Sequence, residues 1–148
     1  MTHKTLALLL ATGLSALVGC QSTTPTAAAP GPGGNIKKMD PLDFLEYLRT
    51  TPDRTCTVVG VTGVWVKDRH LPKLFELLDS DRKCASVVNF IWCPHVDIGK
   101  PTTVGREAGF LIRSFTTKQY PAPLGSTMSE ADKNELRNWY RQYKNQNN

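Results

Sequence analysis

The sequence predicts a mainly α-helical fold: a short array of helical hairpins forming one small domain. Three observations predict it. Apolar residues recur at helical spacing in several separate stretches. Two of those stretches head segments that repeat about 30 residues apart. The first 38 residues differ in composition from everything after them, which leaves residues 39–148 as a single compact unit. An α+β fold with strands at 56–66 and 84–92 is the alternative. The chain has 148 residues, 40% hydrophobic and 21% charged, a balance that excludes a collagen, a multi-span membrane protein and a wholly disordered chain. Eighteen Lys and Arg against 13 Asp and Glu give a net charge of +5, too mild to argue for nucleic acid.

Lys4 supplies a positive charge ahead of Leu6 to Val18, an apolar run of thirteen residues. A helix needs roughly 20 apolar residues to span a bilayer, so this run suits the apolar segment of a signal peptide. It ends in Leu17-Val18-Gly19-Cys20. This tetrapeptide resembles the lipobox of bacterial lipoproteins. The resemblance implies that Cys20 receives a diacylglyceryl group, that residues 1–19 are removed, and that the new amine is acylated, for example with palmitate. Gln21 stands where an Asp tends to retain members of that family at the inner membrane. The resemblance therefore implies a lipid anchor in the outer membrane, facing the periplasm. Two or more acyl chains hold a protein stably where one does not.

Residues 20–38 form the expected tether. Gln21 to Lys38 is rich in Ser, Thr, Pro, Ala and Gly, with Ile36 its one large aliphatic residue. Such a stretch buries too little surface to offset its chain entropy and is expected to stay disordered. It would hold the domain roughly 20–30 Å from its anchor.

Within 39–148, Asp40 is placed to cap a first helix, with Pro41 at its first position and Asp43 in its first turn. Leu42, Leu45 and Leu48, flanked by Phe44 and Tyr47, form its apolar arc, and Pro52 stops it. Cys56 to Val66 is ambiguous. Its β-branched residues and Gly60 and Gly63 favour a strand, whereas the Val58, Val61, Thr62, Trp65 spacing and the repeat favour a helix. The helix is the expectation adopted. Asp68 is expected to cap the next helix, with Leu71, Leu74, Phe75 and Leu78 inward. Cys84 to Trp92 repeats the ambiguity. Val104, Ala108, Leu111 and Phe115 form a helical stripe ending before Pro121. Ser129 and Asp132 make a capping box for a last helix, with Leu136, Trp139, Tyr140 and Tyr143 on one face.

The repeat aligns Phe44-Leu45-Glu46-Tyr47-Leu48, Asp53-Arg54, Cys56 and Trp65 with Leu74-Phe75-Glu76-Leu77-Leu78, Asp81-Arg82, Cys84 and Trp92. A helix, a polar turn and a second apolar segment recur, a pattern similar to a short HEAT-type array.

The oxidising periplasm makes Cys56, Cys84 and Cys93 disulfide candidates once Cys20 is lipidated. All three pairings stay open, with Cys56–Cys84 favoured by their equivalent repeat positions. Cys84, Cys93, His95 and Asp97 do not make a zinc site by proximity in sequence alone. Nor do Cys93 and His95 make a nucleophile and base, since a third orienting group is missing. No phosphate-binding glycine loop, nucleophile elbow or HExxH occurs, and no metal or cofactor is expected. Glu107 lies on an apolar arc and is expected to pair with Arg106 or Arg113. Lys133, Arg137, Arg141 and Lys144 line one face of the last helix and are candidate contacts for a partner.

The expectation is thus a non-enzymatic lipoprotein on the periplasmic face of the outer membrane, with a domain that binds a periplasmic protein. An accessory role in a secretion machine and an immunity role against a periplasmic toxin both fit. The competing class is an envelope enzyme acting on peptidoglycan or lipid, with Glu107, His70, His95 or Cys93 in its cleft.

Overall fold

The fold was obtained as a computed structural model that describes residues 36–89, 101–123 and 125–147. Cys20, the apolar run before it, Cys93, His95 and Asp97 lie outside these residues. No described helix is long and apolar enough to cross a membrane.

Helix α1 (Pro41–Thr50) begins as its sequence dictates. The Asp40 side chain accepts from the Leu42 amide at 2.9 Å, and Pro41 occupies the first turn. Phe44, Leu45 and Leu48 are buried, while Leu42 is only half-buried. The chain then forms strands rather than a helix: β1 (Thr55–Val58) and β2 (Val61–Thr62). The expected helix over Cys56–Val66 is therefore corrected. Along β1, Cys56 and Val58 are buried and Thr57 is exposed, the period-2 alternation of a strand. Gly63 follows β2 at φ 90°, a conformation no helix admits.

A 3-10 turn (Asp68–His70) leads into α2 (Leu71–Leu77), so Asp68 starts a turn rather than capping the helix directly. The described part of the second ambiguous stretch is likewise extended, as β3 (Lys83–Cys84) and β4 (Ser86–Asn89). Strand β5 (Thr102–Thr103) runs into α3 (Val104–Thr117), followed by β6 (Gln119–Tyr120) and α4 (Glu130–Asn147).

The described residues thus form a mixed, helix-rich fold with small sheets, and no array of helical hairpins is present among them. Strand β1 pairs with β4 in parallel, Cys56 opposite Val87. Parallel strands need a crossover connection, and here it carries β2 and α2. Strand β2 pairs antiparallel with β6, and β3 with β5. The two aligned segments each contain a helix followed by a strand, and the strands meet edge to edge instead of stacking as second helices.

Helix α3 occupies the centre. Val104, Ala108, Leu111 and Ile112 are buried, and α1, α2, α4 and β6 all pack on it. The predicted stripe holds, with Phe115 half-buried. Thr103 caps the start by accepting from the Arg106 amide at 3.2 Å, and Lys118 ends the helix at φ 56°. Gly105 lets α2 and α3 meet closely. A Cβ there would lie 2.5 Å from the Leu78 carbonyl oxygen and 2.8 Å from that of Ser80.

Helix α4 starts with the predicted capping box. The Ser129 amide donates to Asp132 Oδ2 at 2.8 Å, and the Asp132 amide donates to Ser129 Oγ at 3.2 Å. Leu136 is its only buried residue among those described. An aromatic layer attaches the helix: Phe75 stacks on Tyr140 at 4.3 Å, and Phe115 meets Trp139 at 5.7 Å and Tyr143 at 5.6 Å.

Ile36–Lys38 form a 3-10 turn, and Ile36 is fully buried. The Trp65 indole N–H donates to the Met39 carbonyl at 2.8 Å, which fastens this turn to the core. Ile36–Lys38 thus pack with the domain.

Candidate functional site

Glu107 is the most unusual polar residue of the core. Helix α3 points it inward, where it is 4% exposed. The expected ion pair does not form. Arg106 donates to the Ser126 carbonyl at 2.8 Å, and Arg113 pairs with Asp132 at 2.7 Å. Instead the Tyr120 hydroxyl donates to Glu107 Oε2 at 3.1 Å. Burial pushes the Glu107 carboxyl up to about 7, while the Tyr120 hydrogen bond and the Arg106 charge act to lower it. Tyr120 is buried too, and burial followed by the Glu107 charge drives its hydroxyl well above the ordinary tyrosine range.

Cys56 and Cys84 lie around the same centre, both buried and both free thiols, so the favoured Cys56–Cys84 disulfide is not formed in this structure. Burial first, and the Glu107 charge second, raise Cys56 to about 11 and Cys84 to about 12. Thiols held that high stay protonated and are poor nucleophiles. Cys93, the third candidate, lies outside the described residues.

His70 is buried at 2% exposure and acts as a structural bridge. Its Nδ1 accepts from the Lys67 amide at 3.0 Å. Its Nε2 lies 3.1 Å from Asp40 Oδ2 and 2.9 Å from Arg69 Nε. The ring thus ties the cap of α1 to the turn before α2.

Among the described residues, a surface groove of about 550 Å³ is lined by Val59, Val61, Thr62, Gln119, Tyr120 and Pro121. Tyr120 is the residue that both lines the groove and bonds Glu107. Val59 and Val64, 53% and 62% exposed, stand at either end of the segment carrying β2.

The basic face of α4 is only partly available. Lys133 pairs with Glu130 at 2.7 Å and approaches Asp79 at 3.9 Å; Arg137 pairs with Asp79 and donates to Asn134. These two residues help to dock α4. Arg141 and Lys144 remain exposed, with Lys144 over the Tyr140 ring at 5.8 Å.

Among the described residues no three His, Cys, Asp or Glu side chains gather as a metal site. The Glu107–Tyr120 contact escaped sequence reasoning because it joins a helix to a two-residue strand thirteen positions later. The interruption of an apolar arc by one carboxyl was its only signal. No protein family matches the chain, and neither a curated protein nor a solved structure is similar to it.

Proposed function

We propose that the protein is a lipoprotein held on the periplasmic face of the outer membrane, and that its small domain binds a periplasmic protein. The carrying observation is the apolar run ending in Leu17-Val18-Gly19-Cys20. The side chains described above add support. The buried carboxyl, the two thiols and His70 are all enclosed in the core rather than opened into a cleft. An enzyme needs such groups where substrate can reach them. Arg141 and Lys144 are the basic residues of α4 left for an acidic partner surface, and Lys133 and Arg137 contribute less because they are paired within the domain.

The test is twofold. Palmitate labelling and intact mass should find acyl chains on Cys20, and Cys20→Ala should move the protein from membranes to the soluble fraction. An unmodified amino terminus, or a Cys20→Ala variant that still sediments with membranes, would refute the anchor. For the binding role, capture from membranes should recover one envelope protein or toxin, and Arg141→Glu with Lys144→Glu should release it while the fold is retained. A secretion component or a toxin in the capture separates the two partner classes. Turnover of peptidoglycan or lipid by the purified protein, abolished by Glu107→Gln, would replace this reading with the enzymatic one.

A further inference from the structure

We infer that the Glu107–Tyr120 contact is a proton-operated latch: the protonated carboxyl keeps β6 and the Ile36–Met39 turn closed on the core, and the ionised carboxyl lets both open.

The geometry supplies the parts. Glu107 is enclosed, and its neutral form suits that enclosure. The groups acting on it are Tyr120 from β6, Cys56 from β1, Cys84 from β3, and Arg106 on its own helix. Arg106 spends its guanidinium on Ser126 and on the face of Phe110. The side chains that α1, α2 and α4 bury are apolar: Phe44, Leu45 and Leu48, Leu71 and Leu74, and Leu136. An ionised Glu107 therefore has one hydroxyl to stabilise it and no cation in contact among the described residues.

Tyr120 transmits the change. Its ring meets Trp65 at 5.4 Å and Phe44 at 5.9 Å, and Trp65 in turn holds Met39. Tyr120 also supplies half of the two-residue β2–β6 ladder and a wall of the groove. A ladder of that length is a small cooperative unit, able to open while the helices stay folded. Water that reaches an ionised Glu107 from the groove side must displace Tyr120. Doing so frees β6, widens the groove and loosens the root of the N-terminal segment.

The direction follows from the carboxyl's folded value of about 7 against 4.5 in water. A group raised on folding contributes fully below about pH 4.5, and its contribution fades as pH rises through 7. The closed form thus prevails in acid, and opening increases toward alkaline pH. Between pH 6 and pH 8 the ratio of open to closed molecules should rise roughly tenfold if opening fully hydrates Glu107.

Hydrogen exchange of the intact protein, normalised to intrinsic rates at each pH, reads this out. The Met39 amide donates to Ile36 and the Gly63 amide to Lys118, so both report on the latched elements. Their protection should fall roughly tenfold from pH 6 to pH 8 and should stay well below that of the amides inside α3 at both. In Glu107→Gln the two amides should show the same protection at both pH values. Carbon-13 titration of the wild-type carboxyls supplies a check that needs no variant: one glutamate should titrate near neutrality, together with the loss of protection. The inference is overturned if every glutamate titrates below pH 5. It is equally overturned if Glu107→Gln keeps the pH dependence, if wild-type protection is flat, or if the latched amides are as well protected as those of α3.

Discussion

Replacing Gly105 by alanine separates close backbone packing from helix propensity. Alanine is the better helix former by about 1 kcal/mol, so local preference alone predicts stabilisation. The structure predicts the opposite. The new Cβ would sit 2.5 Å from the Leu78 carbonyl oxygen, some 0.9 Å inside ordinary contact, and 3.0 Å from the Ser80 nitrogen. These are backbone atoms, and no rotamer change removes them. Relief requires α3 to back away from the end of α2. That movement stretches two bonds that hold the α3 start: Val104 N–H to the Arg82 carbonyl at 2.8 Å and Gly105 N–H to the Ser80 carbonyl at 2.9 Å. Each is worth about 1 kcal/mol net, and overpacking adds about 1–3 kcal/mol. After the propensity gain, a net loss of about 2–4 kcal/mol remains, or roughly 10–15 °C in melting temperature for a domain of this size. Gly109→Ala is the control. Its Cβ meets the Met128 side chain at 2.8 Å, and a methionine end can swing away. It should change stability by less than about 1 kcal/mol. Urea unfolding followed by circular dichroism compares the two. A Gly105→Ala variant as stable as wild type, or two equally damaging substitutions, would refute the packing argument.

Three further outcomes are expected. Asp40→Ala removes the α1 cap and the carboxylate beside the His70 ring, and should cost about 1–2 kcal/mol in urea unfolding. Global stability should decline as pH rises from 5 to 8, because the Glu107 carboxyl is raised from 4.5 to about 7 on folding; the effect is worth up to about 3 kcal/mol and should vanish in Glu107→Gln. Phe115→Ala should cost about 3 kcal/mol and detach α4, whereas Asp79→Ala, at an exposed ion-pair site, should cost under about 1 kcal/mol; limited proteolysis of α4 distinguishes them.

The elements legible in the sequence were those governed by local rules. The Asp40 and Ser129 caps, the Pro52 stop and the Val104–Phe115 stripe all act within a few residues, and the structure shows each. Cys56–Val66 carries strands because its β-branched residues and glycines outweigh the helical spacing that the repeat suggests. The parallel partner of β1 lies 31 residues away, beyond any local pattern. Ile36 stood out as the one large aliphatic residue of a polar stretch, and its complete burial explains why it is there. The Glu107 environment was half legible: its place on an apolar arc was visible, its tyrosine partner was not. Asp79 lies far from α4 in sequence, so its claim on Arg137 and Lys133 was hidden as well.

The buried Ile36 also decides how the domain bears mechanical load. Tension applied through the residues before it is not taken up by a frayed end. It pulls against a fully enclosed side chain, and a few atoms further on against the indole of Trp65 gripping Met39. The short 3-10 turn is expected to yield first under such a force, and the packed rings of Phe44, Trp65 and Tyr120 stand next in line.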